Sequence, residues 1–534
     1  MNTIKYIFIL ACLLNCMSCF EDKGNYDYGK IYTIGIKLPN SVTMVVNESR
    51  TFKPELTFDE KNPAGVRYEW QIESKVVSHD SVYTHLAREL GSLRGLLTVE
   101  DEKTGAKFYK EFSIEVKPLY EMGFLLLTEN GENSDLGFVK AGRIPSNSQT
   151  GTNDTVVYIA DYINCYSDLY GEPINGKPLQ LREHYAFDDY NRVFGEVTVK
   201  TALPERNQFM ELNGESLKKE TFIEEEFSNG LLPVAFHPVD LLHTCFDSFL
   251  LDKDGLLYTR RCNPATGYHL GYFSKDVVYL GGKRKISNII FSDYVESGTI
   301  YAIEEDAAGK KRYLGIYSDY YSNRRNLTEM ELVYEEEEFA GHFTDLTDEV
   351  MESDYFRVKE EGVSGSAVVS KSPEGEYMLH LFVGGAPSSA KHVKIYSSQK
   401  INLTREHGIT DFVKLGTFRN CNMVYVCDKQ NIYYFEVDET FHKYEFGIVR
   451  TFDKEIVSMA TQSMFGYGAK SFEHHIGVAF KDGFFDIYEL QYDGKDMSSL
   501  YKFSNKVYGS TRSFGKIRDV IWKLGVGNYY FNGR

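Results

Sequence analysis

From residue 31 onward, apolar and polar positions alternate with a period of two, in short runs broken by turn-forming residues. That is the pattern of half-buried β-strands. Residues 31–38, 42–46, 51–58, 66–72, 95–99 and 108–118 form such runs, and Asn47, Glu48 and Ser49 separate the second from the third. Residues 101–105, ending in Gly105, read as the hairpin turn between the last two runs. Tyr68 and Trp70 fall on one face of the fourth run, which places Trp70 in a core. Six or seven strands in about 90 residues predict a β-sandwich of immunoglobulin type over 31–118.

A longer period begins at Gly123. An apolar run, a turn of Asp, Asn or Gly, and an aromatic-rich run recur with turns near residues 130, 254, 307, 428 and 482. Neighbouring turns lie about 53 residues apart, and the two gaps of about 120 residues each fit one further unit, at the weaker turns 188–191 and 372–375. Seven hairpin units of about 50 residues predict a β-propeller over 119–534, because a single blade cannot bury both faces of its sheet and the blades must close into a ring. Trp522, in the apolar run 517–523, is expected in the closing strand. The expected fold is all-β: a sandwich followed by a propeller of about seven blades, with tandem sandwiches as the rival arrangement.

The first residues follow a different rule. Lys5 is the one charge before Glu21, and residues 6–14 are apolar. The run is too short to span a bilayer but suits a secretory signal. Small Ser18 precedes Cys19, and a charged, turn-rich stretch follows. These features predict a lipoprotein signal peptide over 1–18, lipidation of Cys19, and a polar tether over 19–30. Multiple acyl chains on one cysteine hold a protein firmly at a membrane. Phe20, Glu21 and Asp22 resemble the export signal of Bacteroidota lipoproteins that reach the outer face of the outer membrane.

Residues 19–28, followed by a sandwich bearing Tyr68 and Trp70, resemble the PKD-like lipoproteins of Bacteroidota (PKD denotes the polycystic-kidney-disease-type β-sandwich). The resemblance covers the N-terminal quarter and extends more loosely through residues 123–129. It implies an outer-membrane, surface-exposed lipoprotein, often encoded beside Sus-type transporters. It carries over no catalytic residue, and the acidic or metal positions of other PKD domains are not matched.

Composition narrows the partners. The formal net charge is -18, and loss of residues 1–18, whose one charge is Lys5, takes it to -19 (-18 minus 1). Nucleic acid is therefore not expected as a partner. Tyr (39) and Phe (36) far outnumber Trp (2), which favours strands over helices. Beyond Cys19, five cysteines remain (Cys165, Cys245, Cys262, Cys421 and Cys427), with no CxxC pair. Buried free thiols are expected, with Cys421 and Cys427 as a conceivable hairpin pair.

No catalytic signature emerges. Residues 362–366 approach the Gly-x-Ser-x-Gly elbow but lack its final glycine, and read as a loop. Glu473, His474 and His475 offer ligand types, but neighbours on a strand point to opposite faces, so no metal is expected there. Asp252, Asp254 and Gly255 are explained by a type I′ turn. The acidic segment 335–354 reads as a solvated excursion, with a cation-attracting rim as the sharper alternative. Tyr320, Tyr321, Arg324 and Arg325 combine loop aromatics with arginines, a composition enriched at interfaces, and are the candidate ligand-binding residues. No cofactor is expected. The sequence points to a binding or accessory component that captures glycan or peptide, or partners a Sus-type transporter. The alternative is an extracellular propeller hydrolase or lyase acting on polymer.

Overall fold

The structure is a computed structural model describing residues 33–46, 48–59, 65–144, 155–187, 193–227, 232–233, 235–244, 247–261, 272–273, 285–290, 299–318, 327–357, 363–385, 392–418, 422–438, 443–462, 475–490 and 504–524. The chain divides into two compact units, Met1–Pro118 and Leu119–Arg534.

In the first unit a five-stranded sheet runs in the order Ser41–Val45, Lys107–Lys117, Gly91–Asp101, Val66–Ile72, Lys75–Ser78. Its first pair is parallel and the others antiparallel. Two short ladders, Ile34–Lys37 with Glu55–Phe58 and Ser49–Phe52 with Tyr83–Leu86, complete the sandwich. Ile34, Phe52, Trp70, Leu97, Phe112 and Ile114 share its core. Trp70 is fully buried, and its indole N–H donates to the Asp80 carbonyl at 2.8 Å. The expected turn at 101–105 closes as a hairpin, with the Asp101 carboxylate accepting from the Lys103 N–H at 2.9 Å.

The second unit is a ring of seven antiparallel blades, which form six sheets among the described residues. Blade 1 comprises Met122–Asn130, Asn133–Ile144, Thr155–Tyr162 and, innermost, Lys516–Leu524. Blade 2 is Lys177–Phe187, Val193–Ala202, Asn207–Asn213 and Lys219–Phe222. Blade 3 shows three strands, Pro238–His243, Asp247–Asp252 and Leu257–Arg261. Blade 4 is Lys285–Ile290, Thr299–Glu305, Lys311–Ser318 and Leu327–Tyr334, and blade 5 is Glu349–Arg357, Val363–Lys371, Tyr377–Gly385 and His392–Asn402. The outer strands of these two blades pair in parallel, so they form one continuous eight-stranded sheet. Blade 6 is Lys414–Thr417, Met423–Cys427, Asn431–Val437 and Tyr444–Thr451, and blade 7 is Ile456–Thr461, His475–Phe480, Phe485–Leu490 and Ser504–Gly509.

The last strand returns to the first, so both chain ends of the propeller share blade 1 and the ring is closed by pairing Phe124 with Trp522 and Met122 with Leu524. Trp522 is buried and meets the Phe124 ring near-perpendicularly at 5.0 Å. Second strands of blades are covered on both faces, which explains why Phe124–Leu127 and Met423–Cys427 are apolar throughout rather than alternating.

Two hairpin expectations need correction. The turn of blade 2 equivalent to the others lies at 203–206, not 188–191; the latter, outside the described residues apart from its flanks, joins the first two strands. The turn at 252–255 is not type I′. Lys253 and Asp254 keep negative φ, and Gly255 alone is left-handed at +79°. The Asp252 carboxylate bonds the Asp254 N–H at 2.7 Å and holds the turn instead. Blade 4 repeats the device: Asp306 accepts from the Ala308 N–H at 2.8 Å and Gly309 sits at φ +78°. A Cβ on Gly309 would meet nothing closer than Glu305 Oε1 at 3.8 Å. Gly309→Ala should therefore cost about 1 kcal/mol through backbone strain alone, read as a lowered urea midpoint at constant slope.

Candidate functional site at the propeller axis

Inner strands of a propeller expose one backbone edge to the axis, and its N–H and C=O groups need partners. Here the sequence supplies them. Six of the seven inner strands carry a register shift close to where they enter the ring, and the residue immediately after the shift is polar: Gln180, Asp240, Asn288, Glu352, Ser458 and Asp519. In blade 6, Lys414 occupies the matching place opposite Cys427, whose carbonyl also accepts from the Val413 N–H.

Three of these residues form one network. Lys414 Nζ lies 2.7 Å from Glu352 Oε1 and 2.9 Å from Asp519 Oδ1. The second oxygen of Glu352 accepts from the Leu415 N–H at 2.8 Å, and that of Asp519 from the Leu181 N–H at 2.8 Å. Each carboxylate thus caps the open edge of another blade's inner strand, one position past the polar residue. The Ser458 hydroxyl and the Val520 N–H add bonds to Asp519 Oδ1, at 3.2 and 3.0 Å. Burial works against the charge on Lys414, but Asp519 and Glu352 hold its amine well above the ordinary lysine range. Burial lifts the Glu352 carboxyl above its ordinary value, and Lys414 and the Leu415 N–H only partly reverse this. A second layer follows: Thr417 donates to Asp354 at 2.9 Å, and Thr461 donates to the Thr417 carbonyl at 2.6 Å. On the opposite side of the ring Arg182 pairs with Asp240 at 2.7 Å.

The axial cavity beside this network measures about 120 Å³ and is bordered by Gln180, Glu183, Ser353, Asp354, Lys414 and Thr461, among others. That is room for several water molecules, well below the roughly 300–1,000 Å³ of small-molecule sites. Chemically, the axis holds paired carboxylates, but one ammonium and two backbone amides occupy them.

A second polar constellation lies between blades 2 and 3. His184 Nε2 is 2.5 Å from Glu196, and its ring stacks on His243 at 3.8 Å and 12°. Ser248 Oγ is 2.9 Å from His243 Nδ1, and Glu211 is 3.8 Å from His243 Nε2. Serine, histidine and glutamate are thus in sequence, yet Arg260 grips Glu211 at 2.6 and 3.2 Å, and Ser248 and His243 are 0% and 2% exposed. The set welds two blades together, and its serine, histidines and glutamates are buried among the described residues. Burial and the nearby Glu196 push the neighbouring Glu220 carboxyl up to about 7.

Tyr320, Tyr321, Arg324 and Arg325 fall between the third and fourth strands of blade 4 and lie outside the described residues, as do Cys19, Cys421, Glu473 and His474. His475 begins a buried strand and is 2.9 Å from the Tyr158 hydroxyl. Cys165 and Cys427 are buried free thiols. Residues 363–366 are not a loop: they open the second strand of blade 5, and Ser366 is fully buried. The acidic segment is only partly a solvated excursion. Glu335 pairs with Lys394 near the outer edge, but Glu352 and Asp354 turn to the axis. Sequence reasoning missed Lys414 and Asp519. No local pattern marks them, because the axial position is held by charged residues in some blades and by Gln180, Asn288 or Ser458 in others.

Against this geometry, the PKD-like family model matches residues 19–178, spanning the sandwich and the three outer strands of blade 1. This segment is PKD-like. No curated protein matches the chain. Solved structures resemble it in fold. A quinoprotein alcohol dehydrogenase-like protein of Bacteroides thetaiotaomicron is 10% identical with a TM-score of 0.38, over 90% of this chain and 96% of that one. Prp20p of Saccharomyces cerevisiae is 9% identical with a TM-score of 0.34, over 77% and 93%. The catalytic domain of a Coprinopsis cinerea GH62 α-L-arabinofuranosidase is 10% identical with a TM-score of 0.28, over 51% and 90%. Likeness at this level carries nothing about activity.

Proposed function

We propose that the chain is a lipoprotein anchored through Cys19 in the outer membrane, facing the cell exterior, where it acts as a binding or accessory component. It captures glycan or peptide, or partners a Sus-type transporter. The observation that carries the binding reading is the axis: Glu352 and Asp519 are bound by Lys414 and by the N–H groups of Leu415 and Leu181, which favours a locked scaffold over an acid–base pair. The PKD-like match beginning at residue 19 supports the anchor, since it leaves the apolar leader outside the shared region. The alternative, a hydrolase or lyase acting on polymer, would have to place its acid and base elsewhere on the blades.

Two experiments test the reading. Cys19→Ala should move the protein from the membrane to the soluble fraction; retention in the membrane would sink the anchor. The protein lacking residues 1–18 should retain a glycan or peptide in an array screen, or bring down a transporter from detergent extracts. Silence in both, with turnover of a polysaccharide, would favour the enzyme.

A further inference from the structure

Between blades 2 and 3, at the end of the ring that carries the hairpin turns, lies a concavity of about 590 Å³. That size falls within the range of small-ligand sites. Leu203, Pro204, Arg206, Leu232, Pro233 and His237 border it. Both walls are turns closed on themselves: the Leu203 N–H donates to the Arg206 carbonyl at 2.9 Å, and the Phe236 N–H to the Pro233 carbonyl at 3.3 Å. Asn207 Nδ2 braces one wall to the other through the Pro238 carbonyl at 3.2 Å, and the His237 carbonyl is held by the Lys253 N–H at 2.9 Å. Beneath, Phe236 is buried against Phe227 and Tyr258, with ring centroids 4.9 and 5.7 Å away. Ala235 is held at φ +56°, a left-handed setting rare for a residue with a Cβ, which persists where the surrounding structure imposes it. These bonds hold the described parts of both walls, and walls held in place lower the entropic cost of binding.

Its chemistry is selective. Two leucines and two prolines make the walls aliphatic, and proline offers no N–H to a hydroxyl. A sugar, which needs several donors and acceptors around each ring, is poorly served. Arg206 supplies charge. Its guanidinium is one-third exposed, stands 3.5 Å from Glu224, and makes no hydrogen bond among the described residues. The carboxylate oxygens of Glu224 are buried and face one amino group of the fork, which leaves the remaining N–H donors for a second carboxylate. Glu205 also borders the cavity, but at the exposed tip of its turn, where water screens it.

We propose that this concavity binds peptide, taking an apolar side chain against Leu203, Leu232 and the two prolines while Arg206 holds an adjacent carboxylate. This rests on the capture role proposed above and selects peptide over glycan.

The test titrates the full-length protein with N-acetyl-phenylalanine and with its uncharged amide by ligand-observed NMR. The acid should bind about tenfold more tightly than the amide, the scale of a charge-assisted hydrogen bond. Arg206→Lys keeps a cation facing Glu224 but loses the fork, and should erase most of that preference with an unchanged thermal midpoint. Leu232→Asp, on a side chain that is already part-exposed, should abolish saturable binding of the acid. Absence of saturable binding by either probe, equal binding of the two, or a preference that survives in Arg206→Lys overturns the proposal. Glycan retention or transporter co-purification alongside such a failure would leave the broader binding role standing.

Discussion

Replacing Lys414 by methionine is expected to destabilise the propeller by about 3 kcal/mol, the loss that follows when one partner of a buried ion pair is removed. Methionine keeps the apolar stem, so the loss isolates the charge. The lower end of the usual range applies because Lys414 and Glu352 retain 17% and 16% exposure. Without the ammonium, Glu352 and Asp519 stand on the same axis with only backbone amides and Ser458 as donors. Burial already raises the Glu352 carboxyl, and the variant would raise it further. A folded pKa above the unfolded value means that the folded form takes up the extra proton. The deficit should therefore be largest above that raised pKa and shrink as pH falls through it. Urea unfolding at pH 5 and pH 8 measures both points. Adding Glu352→Gln to Lys414→Met should recover part of the stability, since Asp519 keeps its bonds to Ser458, Leu181 and Val520. A loss below about 1 kcal/mol with no pH dependence would reduce the network to the rank of a surface pair.

The reason this network escaped the sequence reading is physical. Hairpins are local: an Asp that caps its own turn and a Gly at positive φ lie within four residues of each other, so the periodic turns at 252–255, 306–309 and 482–483 announced themselves, and their spacing gave the blade number. Trp522 was legible for the same reason, since an apolar run left over after seven hairpins has to close the ring. Lys414 and Asp519 are 105 residues apart in the chain. Nothing local marks their meeting, which exists only because ring closure places inner strands around one axis. Blade 2 misled for a related reason: between Tyr162 and Lys177 the chain spends residues on a connection with a short helix, Cys165–Tyr170, so the 53-residue spacing pointed to 188–191 rather than to the hairpin at 203–206. The concavity between blades 2 and 3 was equally hidden. Its walls come from two turns that are 30 residues apart, and neither Leu-Pro pair is distinctive by itself.

The closing strand supplies the other large effect. Lys523 is 1% exposed; its amine donates to the carbonyls of Tyr120 and Gly214 and lies 5.0 Å over the Phe138 ring, with no carboxylate in ion-pair contact among the described residues. Burial pulls the amine from 10.5 down to about 7, against the more distant pull of Glu121, Glu215 and Glu183. At and below pH 7 the folded protein therefore buries a charge that the unfolded chain solvates freely. At roughly 1.4 kcal/mol per unit, that penalty is on the order of 5 kcal/mol. As pH rises from 7 towards 10.5 the unfolded chain holds more protons than the folded one, so the stability of the natural protein rises and the penalty fades. Lys523→Met removes the charge but strands two buried carbonyls, which costs about 1–3 kcal/mol at any pH. The variant should be more stable than the natural protein at pH 6, by about 2–4 kcal/mol. The gain should dwindle by pH 9 and reverse above it. Glu215, which burial and Glu121 push up to about 7 and Lys523 pulls back, would rise further in the variant and trim the gain on the alkaline side. Thermal unfolding of both proteins at pH 6 and pH 9 reads the difference directly. A difference that stays constant across that interval would mean that Lys523 is already neutral, or already solvated, when the ring is closed.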